Sequence, residues 1–122
     1  MNNQSRIGSF KNALKGIAVF VRTQTNAKLH LVAALLVVLF GYYFHVSITE
    51  WCLLIGGIGI VLIAEIFNSA LELLSDVVSP DYDDRIKKVK DMAAGGVLIA
   101  ACASALVAAL IFLPKIMSCC FY

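Results

Sequence analysis

Apolar residues run almost unbroken from Leu29 to Ile48, from Trp51 to about Ser75 and from Met92 to Leu113. Each run supplies the roughly 20 residues that a helix rising 1.5 Å per residue needs to cross a hydrocarbon core of about 30 Å. Ahead of them the pattern changes. Ile7, Phe10, Leu14, Ile17 and Val21 recur at steps of three and four, with Arg6, Lys11, Lys15 and Arg22 mostly on other faces. That spacing predicts a basic amphipathic helix over about 5–22, of the kind that lies in the headgroup plane or docks on its own protein. The pattern as a whole predicts an all-α integral membrane protein. It reads as a single domain over 1–122, with one interfacial helix and three transmembrane helices spanning about 29–48, 51–75 and 92–113.

The punctuation between these runs is sparse. Thr23-Gln24-Thr25-Asn26 breaks the apolar pattern and offers N-cap side chains to the first span. A very short connection is expected at 49–51. Ser79-Pro80-Asp81-Tyr82-Asp83-Asp84 is the clear turn: Pro80 stops the second helix and Asp83 or Asp84 caps the third, which begins near Arg85. Gly96, Ala100, Ser104 and Ala108 recur every four residues, a small-residue seam that lets helix backbones approach, and Gly56, Gly57 and Gly59 offer the second span the same. Gly57-Ile58-Gly59 is not a phosphate loop, because no strand precedes it.

Composition narrows the class. Of 122 residues, 61% are hydrophobic and only 15% charged, against about 25% charged in ordinary soluble domains. A water-soluble enzyme or a nucleic-acid binder is excluded. The basic stretch ahead of the first run and the length of that run argue against a cleaved secretory signal. Nine of ten Lys and Arg residues lie in 1–28 and 85–90, and only Lys115 follows the third run. By the positive-inside rule, the N-terminus and the second connection are cytoplasmic, and the C-terminus is outside the cytoplasmic (inner) membrane. Tyr42, Tyr43 and Trp51 then form an outer aromatic belt. Cys52 and Cys102 fall inside spans, while Cys119 and Cys120 are adjacent near the end. None has metal-ligand spacing, and a bridge between neighbours is strained, so all four read as packing or tail residues.

One face of the second span departs from apolarity. Glu65, Asn68 and Glu72 sit at i, i+3 and i+7, within about 60° of helical arc, and Asp76 extends the same stripe. A charge near mid-membrane costs roughly 2.5–3.5 kcal/mol on insertion scales, so such groups pair, face a bundle interior or bind a ligand. Lys90 and Asp91 stand at the mouth of the third span on the same, cytoplasmic side. His30 and His45 flank the first span at opposite ends, share no metal, and both read as interfacial.

Glu65-Ile66-Phe67-Asn68-Ser69-Ala70-Leu71-Glu72, followed after the turn by Lys90-Asp91-Met92-Ala93-Ala94-Gly95, resembles the signature of the small prokaryotic diacylglycerol kinase family, which includes undecaprenol kinases. The resemblance runs from Phe10 to about Pro114. It implies a homotrimeric bundle with composite active sites between subunits. It also implies ATP and Mg²⁺ as co-reactants on a scaffold unrelated to P-loop kinases, in keeping with the lack of G-x-x-x-x-G-K. By position it implies Glu65 as catalytic base, Glu72 as metal ligand, Lys90 and Asp91 as the nucleotide-phosphate and active-site pair, and Asn68 as a polar partner. The position where the family often carries a second metal-binding glutamate is Gln24, and no acid precedes Glu50; a weaker hold on Mg²⁺ follows. Asn12, Asp81 and Asp83 stand at nucleotide-contact positions.

These roles agree with the chemistry of the residue types. An embedded carboxylate suits proton acceptance from a lipid primary hydroxyl, Mg²⁺ takes one or two carboxylates plus phosphate oxygens, and a lysine steadies charge on a transferring phosphoryl group. The expected function is γ-phosphate transfer to a membrane lipid alcohol. Diacylglycerol and undecaprenol both remain open as acceptors, with His30 and the Lys90–Gly95 context closer to the undecaprenol kinases. The alternatives are an inactive scaffold of the same fold and an ion pathway lined by Glu65 and Glu72. A lipid phosphatase lacks a histidine assigned to the acid stripe.

Overall fold

In a computed structural model of the chain, residues 4–120 are described, with side chains from 6 to 119. Four helices follow one another: α1 (Gln4–Thr23), α2 (Thr25–Tyr43), α3 (Ile48–Val78) and α4 (Asp84–Cys120). The last three are long and apolar enough to cross a membrane. At 31 and 37 residues, α3 and α4 exceed the ~20 that a crossing needs, so their ends project beyond any one hydrocarbon layer.

The helices α3 and α4 pack along one another, and the small residues set how closely. Ser104 Oγ donates to the Gly57 carbonyl at 3.0 Å, and a methyl group on Gly57 would lie 3.1 Å from that same oxygen. Ala100, in the same seam, is buried. Gly56, Gly59 and Gly96 meet nothing within 4 Å, so the close approach is local to Gly57.

Beside Trp51, the helices are fastened by a cluster of Val46, Leu54, Ile111 and Phe112. Phe40 and Phe44 stack against Phe112 at centroid distances of 6.0 and 6.2 Å. Gly41 is buried under the Trp51 ring, where a methyl group would come within 2.5 Å of Cη2. Lys115 and Glu50 close this end with a 3.2 Å ion pair between α4 and α3.

Several boundaries differ from the sequence reading, each for a local reason. The connection between the first two spans falls at 44–47 rather than 49–51. Ser47 and Glu50 form a reciprocal capping box, so Ile48 already belongs to α3. The turn before it is a Schellman motif: Val46 N–H donates to Gly41 O and His45 N–H to Tyr42 O, with His45 at φ 48°, where glycine is usual. Gln24 takes the N-cap of α2 without a side-chain bond, and Thr23 Oγ1 instead donates back to Val19 O. The third span starts at Asp84, with Asp83 accepting from Arg85 N–H as the cap. It continues as helix through Pro114, the segment expected to be a tail. Proline interrupts a membrane helix only locally, and Ser118 Oγ donates to the carbonyl of Pro114. Pro80 does follow the end of α3, whose C-cap is Ser79. Cys52, Cys102 and Cys119 are free thiols; the side chain of Cys120 lies outside the described residues.

The expected amphipathic segment is helical over Gln4–Thr23, and its apolar residues Ile7, Phe10, Leu14 and Ile17 are half or more exposed. The same holds along α2, α3 and α4, where Leu29, Leu35, Ile55, Ile63, Leu98 and Leu110 face outward. Water does not tolerate so much apolar surface; lipid chains or other protein subunits must cover it.

Candidate active site

The acid stripe on α3 becomes a ladder of three polar contacts, each with a different partner. At its first rung, Glu65 is 2% exposed, and its Oε1 lies 2.9 Å from His30 Nε2 of α2. Next, Asn68 Nδ2 donates to Glu72 Oε1 at 3.2 Å, one turn along the same helix. Below that, Lys90 of α4 donates from Nζ to Asp76 Oδ1 at 2.7 Å and lies near enough to feel the charge of Glu72. The 3.6-residue period puts the four α3 groups on one face. The short α1–α2 junction brings α2 across that face, and the 79–83 turn returns α4 beside it.

The structure brings together only part of the predicted set. Asn68 and Glu72 bond one another, Glu65 shares their helix face, and Lys90 reaches the stripe through Asp76, beside Glu72. Asp91 points along its own helix instead, accepting from Lys87 Nζ at 2.6 Å, because residues four apart on a helix share a face. Within this chain it therefore does not pair with Lys90. Asn12 is exposed on α1, and no hydrogen bond links it to the stripe among the described residues. Asp81 gives only its backbone carbonyl to Ser79 Oγ. Asp83 is held by the Arg85 guanidinium and backbone N–H, which lower its carboxyl from an ordinary 3.8 to about 2. Gln24 is half-buried at the α1–α2 junction, and no hydrogen bond joins its side chain to Glu72 among the described residues.

Sequence reasoning assigns His30 no partner; the structure makes it the direct partner of the most buried acid. Its distance of 35 positions from Glu65 hid the contact; the available signal was that an embedded carboxylate must have a partner, and that few polar side chains on other helices lie at its depth. The acid stripe thus does have a histidine against it, contrary to the expectation that set a phosphatase aside.

The donors around Asn68 bear on the implied Mg²⁺. Glu72 accepts from Asn68 through Oε1, and Asn68 Oδ1 is buried with no hydrogen-bond partner among the described residues. A carboxylate beside an orphaned amide oxygen is hard oxygen chemistry of the kind Mg²⁺ takes, so the residues fit. Among the described residues no three His, Cys, Asp or Glu side chains gather as a metal cage. A cation here would draw its other ligands from phosphate oxygens or a second subunit.

An apolar groove of about 320 Å³ opens between α2, α3 and α4 on the Trp51 side of this ladder and meets it at His30. Small residues make the room, among them Ala33, Ala34, Gly57 and Ala105, and His30 supplies polarity to its lining.

Residues 11–112 match the family described as prokaryotic diacylglycerol kinase. The chain is 36% identical over 108 residues to undecaprenol kinase of Bacillus subtilis (strain 168), covering 88% of each protein. It is 32% identical over 111 residues to diacylglycerol kinase of Synechocystis sp., covering 90% of this chain and 63% of that one. Diacylglycerol kinase of Escherichia coli (strain K12) is 38% identical over 69 residues, 57% of each.

Proposed function

The chain belongs to the prokaryotic diacylglycerol kinase family, and from that premise we propose that it is a lipid kinase that transfers the γ-phosphate of ATP, with Mg²⁺, to the primary hydroxyl of a membrane lipid alcohol. The observation that carries the reading is the ladder itself: a buried carboxylate, Glu65, continuous along one helix face with Glu72 and with Lys90 at its end.

In this reading Glu65 accepts the hydroxyl proton as the lipid oxygen bonds to the γ-phosphorus. The bond from that phosphorus to the β-phosphate bridging oxygen breaks, and ADP leaves with the electron pair. Glu72 would hold Mg²⁺ with the orphaned oxygen of Asn68 beside it, and the ion, when bound, neutralises phosphate charge. Lys90 meets the phosphates at the open end of the ladder, where releasing Asp76 frees its ammonium. Such catalysis is mostly positioning and electrostatics. Asp91, Asn12, Asp81 and Asp83 serve the nucleotide only if a neighbouring subunit faces them, which is what a homotrimer with shared sites provides. The large exposed apolar faces of α2, α3 and α4 support such an assembly. The basic ends, 1–28 and 85–90, support a cytoplasmic placement of the ladder, with α1 in the inner headgroup layer. Undecaprenol is the acceptor to test first, since the undecaprenol kinase relative covers nearly the whole chain.

The deciding assay is phosphate transfer from labelled ATP and Mg²⁺ to undecaprenol and to diacylglycerol in parallel micelles, for wild type and Glu65→Gln. Product with one lipid, lost by at least 100-fold in the variant, is the expected result. A folded wild type that phosphorylates neither lipid would overturn the reading in favour of an inactive scaffold.

A further inference from the structure

We propose that His30 is a positioning residue for phosphoryl transfer: its imidazole holds the Glu65 carboxylate so that the second oxygen is presented to the acceptor hydroxyl. The inference rests on the assignment of Glu65 as base.

Three features of the pair converge. Nε2 of His30 lies 2.9 Å from Glu65 Oε1, so with the acid ionised the ring N–H donates to it. Glu65 is almost completely enclosed, with a side chain 3% exposed, whereas His30 is 26% exposed. The histidine is thus the one member of the pair that reaches from the buried acid to more open space. Finally, His30 lines the apolar groove between the spans, whereas Glu65 is not among the lining residues. A hydroxyl carried on a hydrocarbon chain along that groove meets the imidazole first and the carboxylate directly behind it.

The physical need is plain. A glutamate side chain has three rotatable bonds, and one hydrogen bond to Oε1 fixes which oxygen is free. Its rungs differ in this respect. Glu72 is steadied by Asn68 from its own helix, but no residue of α3 is bonded to Glu65, and the described partner comes from α2. Setting the α2–α3 distance therefore also sets the aim of the base. A group that orients a reactive side chain is commonly worth 10- to 100-fold in activity.

The test uses the full chain in detergent micelles, with His30→Leu and His30→Gln compared with wild type and Glu65→Gln. Leucine fills similar space without a donor, while glutamine restores an N–H. The expected result for His30→Leu is a kcat about 10- to 100-fold lower with KM for ATP within twofold of wild type, and for His30→Gln a recovery to within about threefold. A merely structural histidine would lower both variants together or move KM. Equal loss in both, or wild-type turnover in His30→Leu, overturns the proposal. Should His30→Leu fail to fold, added imidazole with His30→Ala replaces it: restored turnover supports positioning, and none with a folded variant refutes it. Activity surviving in Glu65→Gln would instead defeat the assignment of the base, so the two failures are distinguishable.

Discussion

At the scale of single residues, the site is a matter of which oxygen has a partner. Asn68 gives its amide hydrogen to Glu72 and keeps a buried carbonyl oxygen that has no partner among the described residues. Leaving such a group unpaired costs about 1–3 kcal/mol, which is tolerable where a ligand completes it. Gln24 bears on the same point from the other side: placed against the cation, as the family resemblance implies, it would supply a neutral oxygen where an acid would draw the ion more strongly. Gln24→Glu is therefore expected to lower the Mg²⁺ concentration for half-maximal activity severalfold, as followed by a Mg²⁺ titration of phosphate transfer; an unchanged midpoint would show that this position does not reach the metal. Glu65, Asn68 and Glu72 could be read from spacing alone, because a helix converts i, i+3 and i+7 into one face. His30 could not, because nothing local in a chain says which side chain 35 positions away will cross to an acid. The direction of Asp91 was likewise hidden: adjacency to Lys90 in sequence sends two helical side chains about 100° apart.

At the scale of elements, close approach at two glycines defines how the helices meet. Gly57 lets Ser104 reach its carbonyl, and Gly41 lets the Trp51 ring lie flush on α2. Gly41→Ala would place a methyl group 2.5 Å from the ring. The expected loss is about 1–3 kcal/mol of stability, as for overpacked cores, seen as an earlier midpoint in an SDS-unfolding titration. The three spans and the Pro80 stop were plain in the hydropathy pattern. The turn at 44–47 was not, because Phe44, Val46 and Ile48 are as apolar as the helices they separate. Only the Ser47 to Glu50 capping spacing marked it, and a continuous apolar run masked that signal.

At the scale of the molecule, the apolar cluster and the acid ladder occupy opposite ends. The aromatic cluster and the Glu50–Lys115 pair lie by Trp51; the acid ladder and its exposed Lys90–Asp76 pair lie at the other end of α3 and α4. Exposed ion pairs are worth at most about 1 kcal/mol, so the two ends are unequally secured. Phe112 stands 22 positions beyond Lys90 on α4, about 33 Å along the axis. The chain is built like a pair of tongs, riveted by packing beside Trp51 and tied only by an exposed ion pair at the ladder end. Phe112→Ala, at the rivet, should then raise KM for ATP severalfold without touching the nucleotide, whereas the outward-facing Leu113→Ala should leave it unchanged in the same steady-state assay. Nucleotide affinity at the ladder end would thus be set in part beside Trp51, far from the phosphates, and the tolerance of the site to sequence change should be sought as much there as beside Glu65.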